Sequence, residues 1–214
     1  MRSVAPPTRG RDDFIARAPI SADSVPDYDR WAALLAKWNA RINLVAPSTL
    51  PDYWTRHALD SAQLVPLIPD DAMTVMDFGS GAGFPGLSIA IESKAQDTGR
   101  HVHLIESAGK KASFLRTVIR ELGLPATVHS ARIEAMDSLQ ADVITARAFA
   151  PLTRLLPLAD QHMRPCGQLV LLKGGDVESE LAAVAGEWSF SHRFTPSLSD
   201  GSGSVLQLSD LTRI

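Results

Sequence analysis

The chain has 214 residues, 45% of them hydrophobic and 21% charged, with a formal net charge of −3. That length suits one full domain with an appendage and excludes two large ones. No apolar run approaches the roughly 20 residues of a membrane span, and the single cysteine, Cys166, excludes an internal disulfide or a multi-cysteine metal site.

Residues 1–26 combine Pro6-Pro7, Gly10 and mixed charges without the apolar block of a signal peptide. They read as a disordered lead-in to a cytoplasmic protein. Tyr28 to Leu44 places Trp31, Leu34, Leu35, Trp38 and Ile42 at three- and four-residue steps, which predicts an amphipathic helix. The Trp31/Trp38 stripe reads as core packing. Pro47 and Pro51 end that pattern, and Asp52 is a candidate N-cap for a second helix through Val65. Residues 27–70 thus form a small helical N-terminal extension.

From Thr74 the pattern changes. Strands are predicted at Thr74–Phe78, His101–Ile105, Thr127–His129, Asp142–Thr145 and Gln168–Leu172. Helices are predicted between and after them at Gly86–Ser93, Lys110–Leu122, Leu152–Met163 and Val177–Ala185. Such alternation implies βαβ units with right-handed crossovers. Ser189–Thr195 and Ser204–Leu211, joined by a Ser/Gly/Asp-rich segment, read as a terminal β-hairpin. Residues 71–214 are therefore expected to form a Rossmann-like α/β domain, doubly wound around a mostly parallel sheet. Cys166, between Pro165 and Gly167, reads as a buried inert thiol.

The loop Asp77-Phe-Gly-Ser-Gly-Ala-Gly-Phe-Pro-Gly86 lies where the first strand passes into the next helix. Gly81, Gly83 and Gly86 satisfy the GxGxxG dinucleotide pattern, and Glu106 lies 20 residues beyond Gly86, where a ribose-binding carboxylate belongs. A nicotinamide dehydrogenase or a noncatalytic nucleotide-binding module must therefore be weighed. Asp77 argues against the dehydrogenase, because an acid beside the turn would repel a pyrophosphate. S-adenosylmethionine has no phosphate and carries an ammonium and a sulfonium, so Asp-x-Gly-x-Gly-x-Gly is charge-matched to it. Glycine lets the backbone approach the ligand. Glu106 can accept ribose hydroxyls from either cofactor.

Beyond the cofactor class, Gly79-Ser-Gly-Ala-Gly-Phe-Pro-Gly86 resembles the loop of the bacterial small-subunit ribosomal RNA guanine-N7 methyltransferases, the glucose-inhibited division protein B family. Lys37-Trp-Asn39, Arg56-His-Ala-Leu-Asp-Ser61, Lys110-Lys111, Arg147-Ala-Phe-Ala-Pro151 and Leu172-Lys-Gly174 occur in the same order as in that family. The resemblance covers Trp38 to about Gly175 and implies methylation of N7 of one guanine in 16S rRNA. It implies cofactor contacts from Gly79, Phe84, Ile133, Glu134 and Arg147. Phe84 stands where the family often has Leu, and Ala146 where Ser is common.

Guanine N7 is unprotonated at neutral pH, so methyl transfer to it requires alignment and no general base. The segment after the fourth strand lacks the Asn/Asp-Pro-Pro-aromatic motif used on exocyclic amines. Arg147 lies at a strand's carboxyl end, where α/β sites form; it is the positioning residue, suited to the cofactor carboxylate, guanine O6 or a phosphate. An RNA-binding face is expected from Arg41, Arg56, Lys110, Lys111, Arg147 and Lys173, with His57 either an RNA contact or a helix-surface residue. Lys110-Lys111 oppose a helix dipole unless they meet an anion; the alternative is a solvated basic turn. His101 and His103 lack companion ligands, so no metal is expected. Nothing in the sequence demands more than a monomer.

Overall fold

The computed structural model describes residues 6–199 and 203–214. Strands Thr74–Phe78 (β1), His101–Ile105 (β2), Ala126–His129 (β3), Ala141–Arg147 (β4), Met163–Gly174 (β5), Trp188–Pro196 (β6) and Gly203–Arg213 (β7) form one sheet in the order β3-β2-β1-β4-β5-β7-β6. The first five are parallel to one another, and β7 runs antiparallel to both β5 and β6. This is the doubly wound α/β architecture expected. Helices Gly86–Gln96 (α4) and Gly109–Leu122 (α5) cover one face, and Leu152–His162 (α6) and Val177–Val184 (α7) the other. Side chains alternate across each strand, so Val75 joins the first core and Met76 the second. With both faces covered, the central strands read as near-continuous apolar runs.

The N-terminal segment departs from expectation. Residues 1–5 of the expected disordered lead-in lie outside the described residues; in the remainder Arg11–Arg17 (α1) is helical, and Phe14 is fully buried between Tyr28 and Trp54, at centroid distances of 4.9 and 5.2 Å. Trp54 Nε1 donates to the Pro7 carbonyl at 2.7 Å, and Arg11 pairs with Asp29 at 2.6 Å. One aromatic in seven residues leaves no periodicity in the sequence; its slot is built by residues up to 40 positions away (Phe14 to Trp54). Val25–Asn39 (α2) starts earlier than predicted, with Pro in its first turn, and stops five residues sooner than Leu44. The Asn39 carboxamide accepts from the Leu44 and Val45 amides at 2.9 and 3.0 Å, folding the chain back.

The second predicted helix is irregular. Pro47–Asp52 is a 3₁₀ segment, Tyr53–Leu59 is π-helical, and only Asp60–Ala62 (α3) closes as α. Asp52 caps nothing with its side chain, because Pro51 already breaks the backbone ladder there. Trp31 packs on Phe84 at 4.7 Å and Trp38 on Phe114 at 5.8 Å, which joins the helical extension to the α4/α5 face as one core.

The β6–β7 hairpin forms as predicted, and its second strand becomes internal to the sheet; residues 200–202 of its tip lie outside the described residues. Cys166 is exposed with φ +63°, contrary to the buried thiol expected. The β4–β5 register slips between Ala141 and Val143, so β5 bulges out before Gly167 packs against the Ala141 carbonyl.

Candidate cofactor and substrate site

The carboxyl ends of β1, β2 and β4 meet at the glycine loop. Gly79, Gly81 and Gly83 all take left-handed φ values. At Gly83 a Cβ would stand 2.2 Å from Leu87 Cδ1, so the residue type is set by both backbone and packing. Ser80 N–H donates to the Ile105 carbonyl at 2.9 Å, which ties the loop to β2. Glu106, 7% exposed, accepts from Gly81 N–H at 2.9 Å through Oε2 and from Ala108 N–H at 2.7 Å through Oε1. An ionised carboxylate has about four acceptor sites, so Glu106 keeps capacity for hydroxyls while holding the loop.

Asp77 lies fully buried beneath the loop, not on its open side. Its Oδ1 accepts from Thr145 Oγ1 at 3.0 Å; Oδ2 is buried beside Gly86 without a well-formed hydrogen bond. Burial pushes its pKa up to about 7, partly opposed by the Ser80 and Thr145 hydroxyls and the Gly86 amide, and reinforced by the Glu106 charge. Gly81, where a Cβ would meet only the Gly79 carbonyl at 3.7 Å, gives the loop an open face. An open glycine cradle over an unsatisfied carboxylate oxygen fits a cationic ligand such as S-adenosylmethionine.

Beside the cradle, a cavity of about 110 Å³ is bordered by Gly79, Glu106, Ile133, Glu134 and Phe149. Ile133 is buried, while Glu134 is exposed and pairs with Arg154 at 2.8 Å. Phe84 does not face this cavity. Its ring is 7% exposed and packs among Trp31, Tyr53 and His57, because an apolar ring beside the helical extension finds its core there. Its backbone alone belongs to the loop.

Arg147 ends β4 and reaches back to the helical extension. Its guanidinium donates to His57 Nδ1 at 3.0 Å and to the Arg56 carbonyl at 3.3 Å, pairs with Asp60 at 3.4 Å, and lies over the Phe84 ring at 5.5 Å. His57 is 6% exposed, stacks on Phe84 at 4.9 Å, and meets Thr49 Oγ1 at 3.1 Å through Nε2. With Nδ1 accepting from Arg147, the ring is neutral with its proton on Nε2. Burial, then Arg147 and Arg56, push its pKa down to about 3. His57 is therefore not a helix-surface residue; its burial and its contact with Arg147 make it a support for that guanidinium.

Lys173 also departs from its expected role. Its ammonium pairs with Glu180 at 2.7 Å and donates to the Ala150 carbonyl at 3.1 Å, with the side chain 10% exposed. It fastens the loop after β4 and does not project as a phosphate contact. Arg41, Arg56 and Lys110 are exposed and Lys111 is half-buried. Four participants escaped the sequence reading. Asp60 holds Arg147. Phe149 lies 2.7 Å from where a Gly79 Cβ would be. Ser197 and Ser199 reach Asp60 from 137 and 139 residues away. For Asp60 alone a signal existed, its place in the Arg-His-x-x-Asp segment.

A family model described as rRNA small subunit methyltransferase G matches residues 25–206. A ribosomal RNA small subunit methyltransferase G of Paramagnetospirillum magneticum is 47% identical over 204 residues, 95% of this chain and 97% of that protein. A protein of the same name from Rhodospirillum centenum is 45% identical, covering 98% of this chain and 94% of its own length. Among solved structures, the putative transferase PH0793 of Pyrococcus horikoshii aligns with a TM-score of 0.57 at 14% identity, covering 81% of this chain and 65% of that one. M. jannaschii TYW2 in complex with AdoMet aligns at 0.53, also at 14% identity, covering 72% and 77%. At such identities the solved structures speak to the fold alone. The sequence matches span nearly the whole chain, and by them it belongs to the rRNA small subunit methyltransferase G family.

Proposed function

We infer that this protein transfers a methyl group from S-adenosylmethionine to N7 of a guanine in small-subunit ribosomal RNA. The observation that carries the reading is Arg147, held by His57, Asp60 and Phe84 beside the glycine cradle. Bound S-adenosylmethionine supplies an electrophilic methyl on a sulfonium. Gly79, Gly81 and Gly83 let the backbone close on that group, Glu106 accepts its ribose hydroxyls, and the Asp77 charge favours its cationic end from below. Ile133 and Glu134 border the remaining wall. Arg147 orients the acceptor base or the cofactor carboxylate. No residue is required to take a proton, since N7 offers its lone pair directly; catalysis is chiefly positional. Arg41, Arg56, Lys110 and Lys111 form the phosphate-binding face, which gives position and affinity without sequence.

Tritium transfer from labelled S-adenosylmethionine to deproteinised 16S rRNA and to assembled small subunits tests the reading. Aniline cleavage then maps the site, because N7-methylguanine renders the strand cleavable. Label in a cleavable guanine is the expected result. Label confined to a protein or small molecule, or to an RNA position that aniline leaves intact, refutes it. Arg147→Ala should lower turnover far more than it lowers melting temperature.

A further inference from the structure

The strand order divides the carboxyl edge of the sheet in two. Gly79, Glu106 and Ile133 follow β1, β2 and β3 on one side; Arg147, Lys173 and Ser204 stand at the ends of β4, β5 and β7 on the other. Over that second half opens a cavity of about 250 Å³, bordered by Arg56, Asp60, Arg147, Lys173, Ser199 and Ser204. The volume falls below the ~300 Å³ lower end of drug-sized ligand pockets, a scale that suits a single base. Asp60 is the one carboxylate among the described lining residues.

The two oxygens of Asp60 are used unequally. Oδ1 accepts from Gln63 Nε2 at 3.0 Å, Ser197 Oγ at 2.8 Å and Ser199 Oγ at 3.0 Å. Oδ2 has Arg147 Nε at 3.4 Å, so most of its acceptor capacity remains. Three donors from two segments far apart in the chain fix the carboxylate at the cavity wall.

Guanine carries N1–H and an N2 amino group on the edge remote from N7, with O6 between the two edges. If N7 points to the cofactor half of the sheet, the N1/N2 edge points across to the cavity half, and O6 faces Arg147 between them. RNA hides its major-groove edges in duplex form, so a base methylated at N7 is presented unstacked, with its pairing edge available for reading. We propose that Asp60 Oδ2 accepts from the N1–H and N2 amino group of the target guanine in this cavity, which makes Asp60 the residue that selects guanine. Adenine presents an acceptor at N1 and is repelled by the same carboxylate. The proposal rests on the guanine-N7 reading above.

The experiment uses small-subunit RNA, free or reconstituted into subunits, with guanine or inosine at the mapped position. Inosine lacks only the N2 amino group and keeps N7. Wild-type protein should methylate guanine at least tenfold faster than inosine at subsaturating RNA. Asp60→Asn should bring that ratio close to one in protein that stays folded at the assay temperature. If Asp60→Asn melts below the assay temperature, Asp60→Glu carries the same ratio test, because it keeps the charge one methylene out of place. Equal wild-type rates on guanine and inosine overturn the assignment, as does a wild-type ratio that survives in the variants. No transfer to guanine RNA at all is a separate result, which overturns the parent reading.

Discussion

Asp77 is pulled in two directions: burial favours its protonated form, and a cationic ligand above the loop favours its carboxylate. Its pKa, pushed up to about 7, places that competition at neutral pH. S-adenosylhomocysteine, which keeps the ammonium, should bind progressively more weakly as pH falls below 7, and Asp77→Asn should lose about tenfold in affinity and most of that pH dependence. One pKa unit corresponds to about 1.4 kcal/mol, or a factor of ten; calorimetry across pH 6 to 8 reads both effects. His57 behaves oppositely. Its folded pKa, down at about 3, lies below the 6.5 of an unperturbed imidazole, so the unfolded chain binds the proton more readily. Its contribution to stability is complete above pH 6.5 and is lost as pH falls from there toward 3, at up to about 1.4 kcal/mol per pH unit. Urea titrations from pH 7 to 4 should show that slope, and His57→Gln should flatten it. The place of Asp77 at the start of the glycine loop was legible from the sequence, because the loop's glycines lie only two to nine places away; its burial and its tie to Thr145 were not. The role of His57 was not, since its burial is built by Phe84, Thr49 and Arg147 from three separate segments.

At the scale of elements, β1 and β2 were read to the residue because a short apolar run flanked by turn residues leaves little choice of boundary. The glycine loop was equally plain, and its sterics give a sharp outcome. Gly83→Ala combines φ +99° with a 2.2 Å approach to Leu87, and should cost about 2–3 kcal/mol in denaturant unfolding together with cofactor affinity. α1 was illegible for a different reason. Its seven residues hold no repeat, and it folds only because Phe14 fills an aromatic slot in the extension. Phe14→Ala should therefore cost about 3–5 kcal/mol by the same measurement, as expected for a fully buried ring. An unchanged midpoint would show that α1 is dispensable to the core. The irregular turns of 47–59 were missed because Pro51 and the run of buried residues Tyr53, Trp54, His57 and Ala58 obey no single period.

Across the whole molecule, net charge and local charge diverge. The chain carries −3, yet Arg56, Lys110 and Arg41 stand exposed. If four cations including Lys111 each meet one phosphate, the logarithm of RNA affinity should fall with the logarithm of salt with a slope near −3, at about −0.7 per contact on single strands. Lys110→Ala combined with Lys111→Ala should reduce that slope by about 1.4, as read from filter binding at several salt concentrations. A flat dependence would remove this face from the RNA interface. The sheet order also bears on how the molecule is made. β7 lies between β5 and β6 but follows both in the chain. During synthesis, for the time needed to add its 11 residues, on the order of a second, β5 and β6 each present an unpaired edge to the crowded surroundings of the translating ribosome. The chain is thus most prone to mispairing just before β7 is added, and any stop codon ahead of Gly203 would leave that sticky intermediate as the final product.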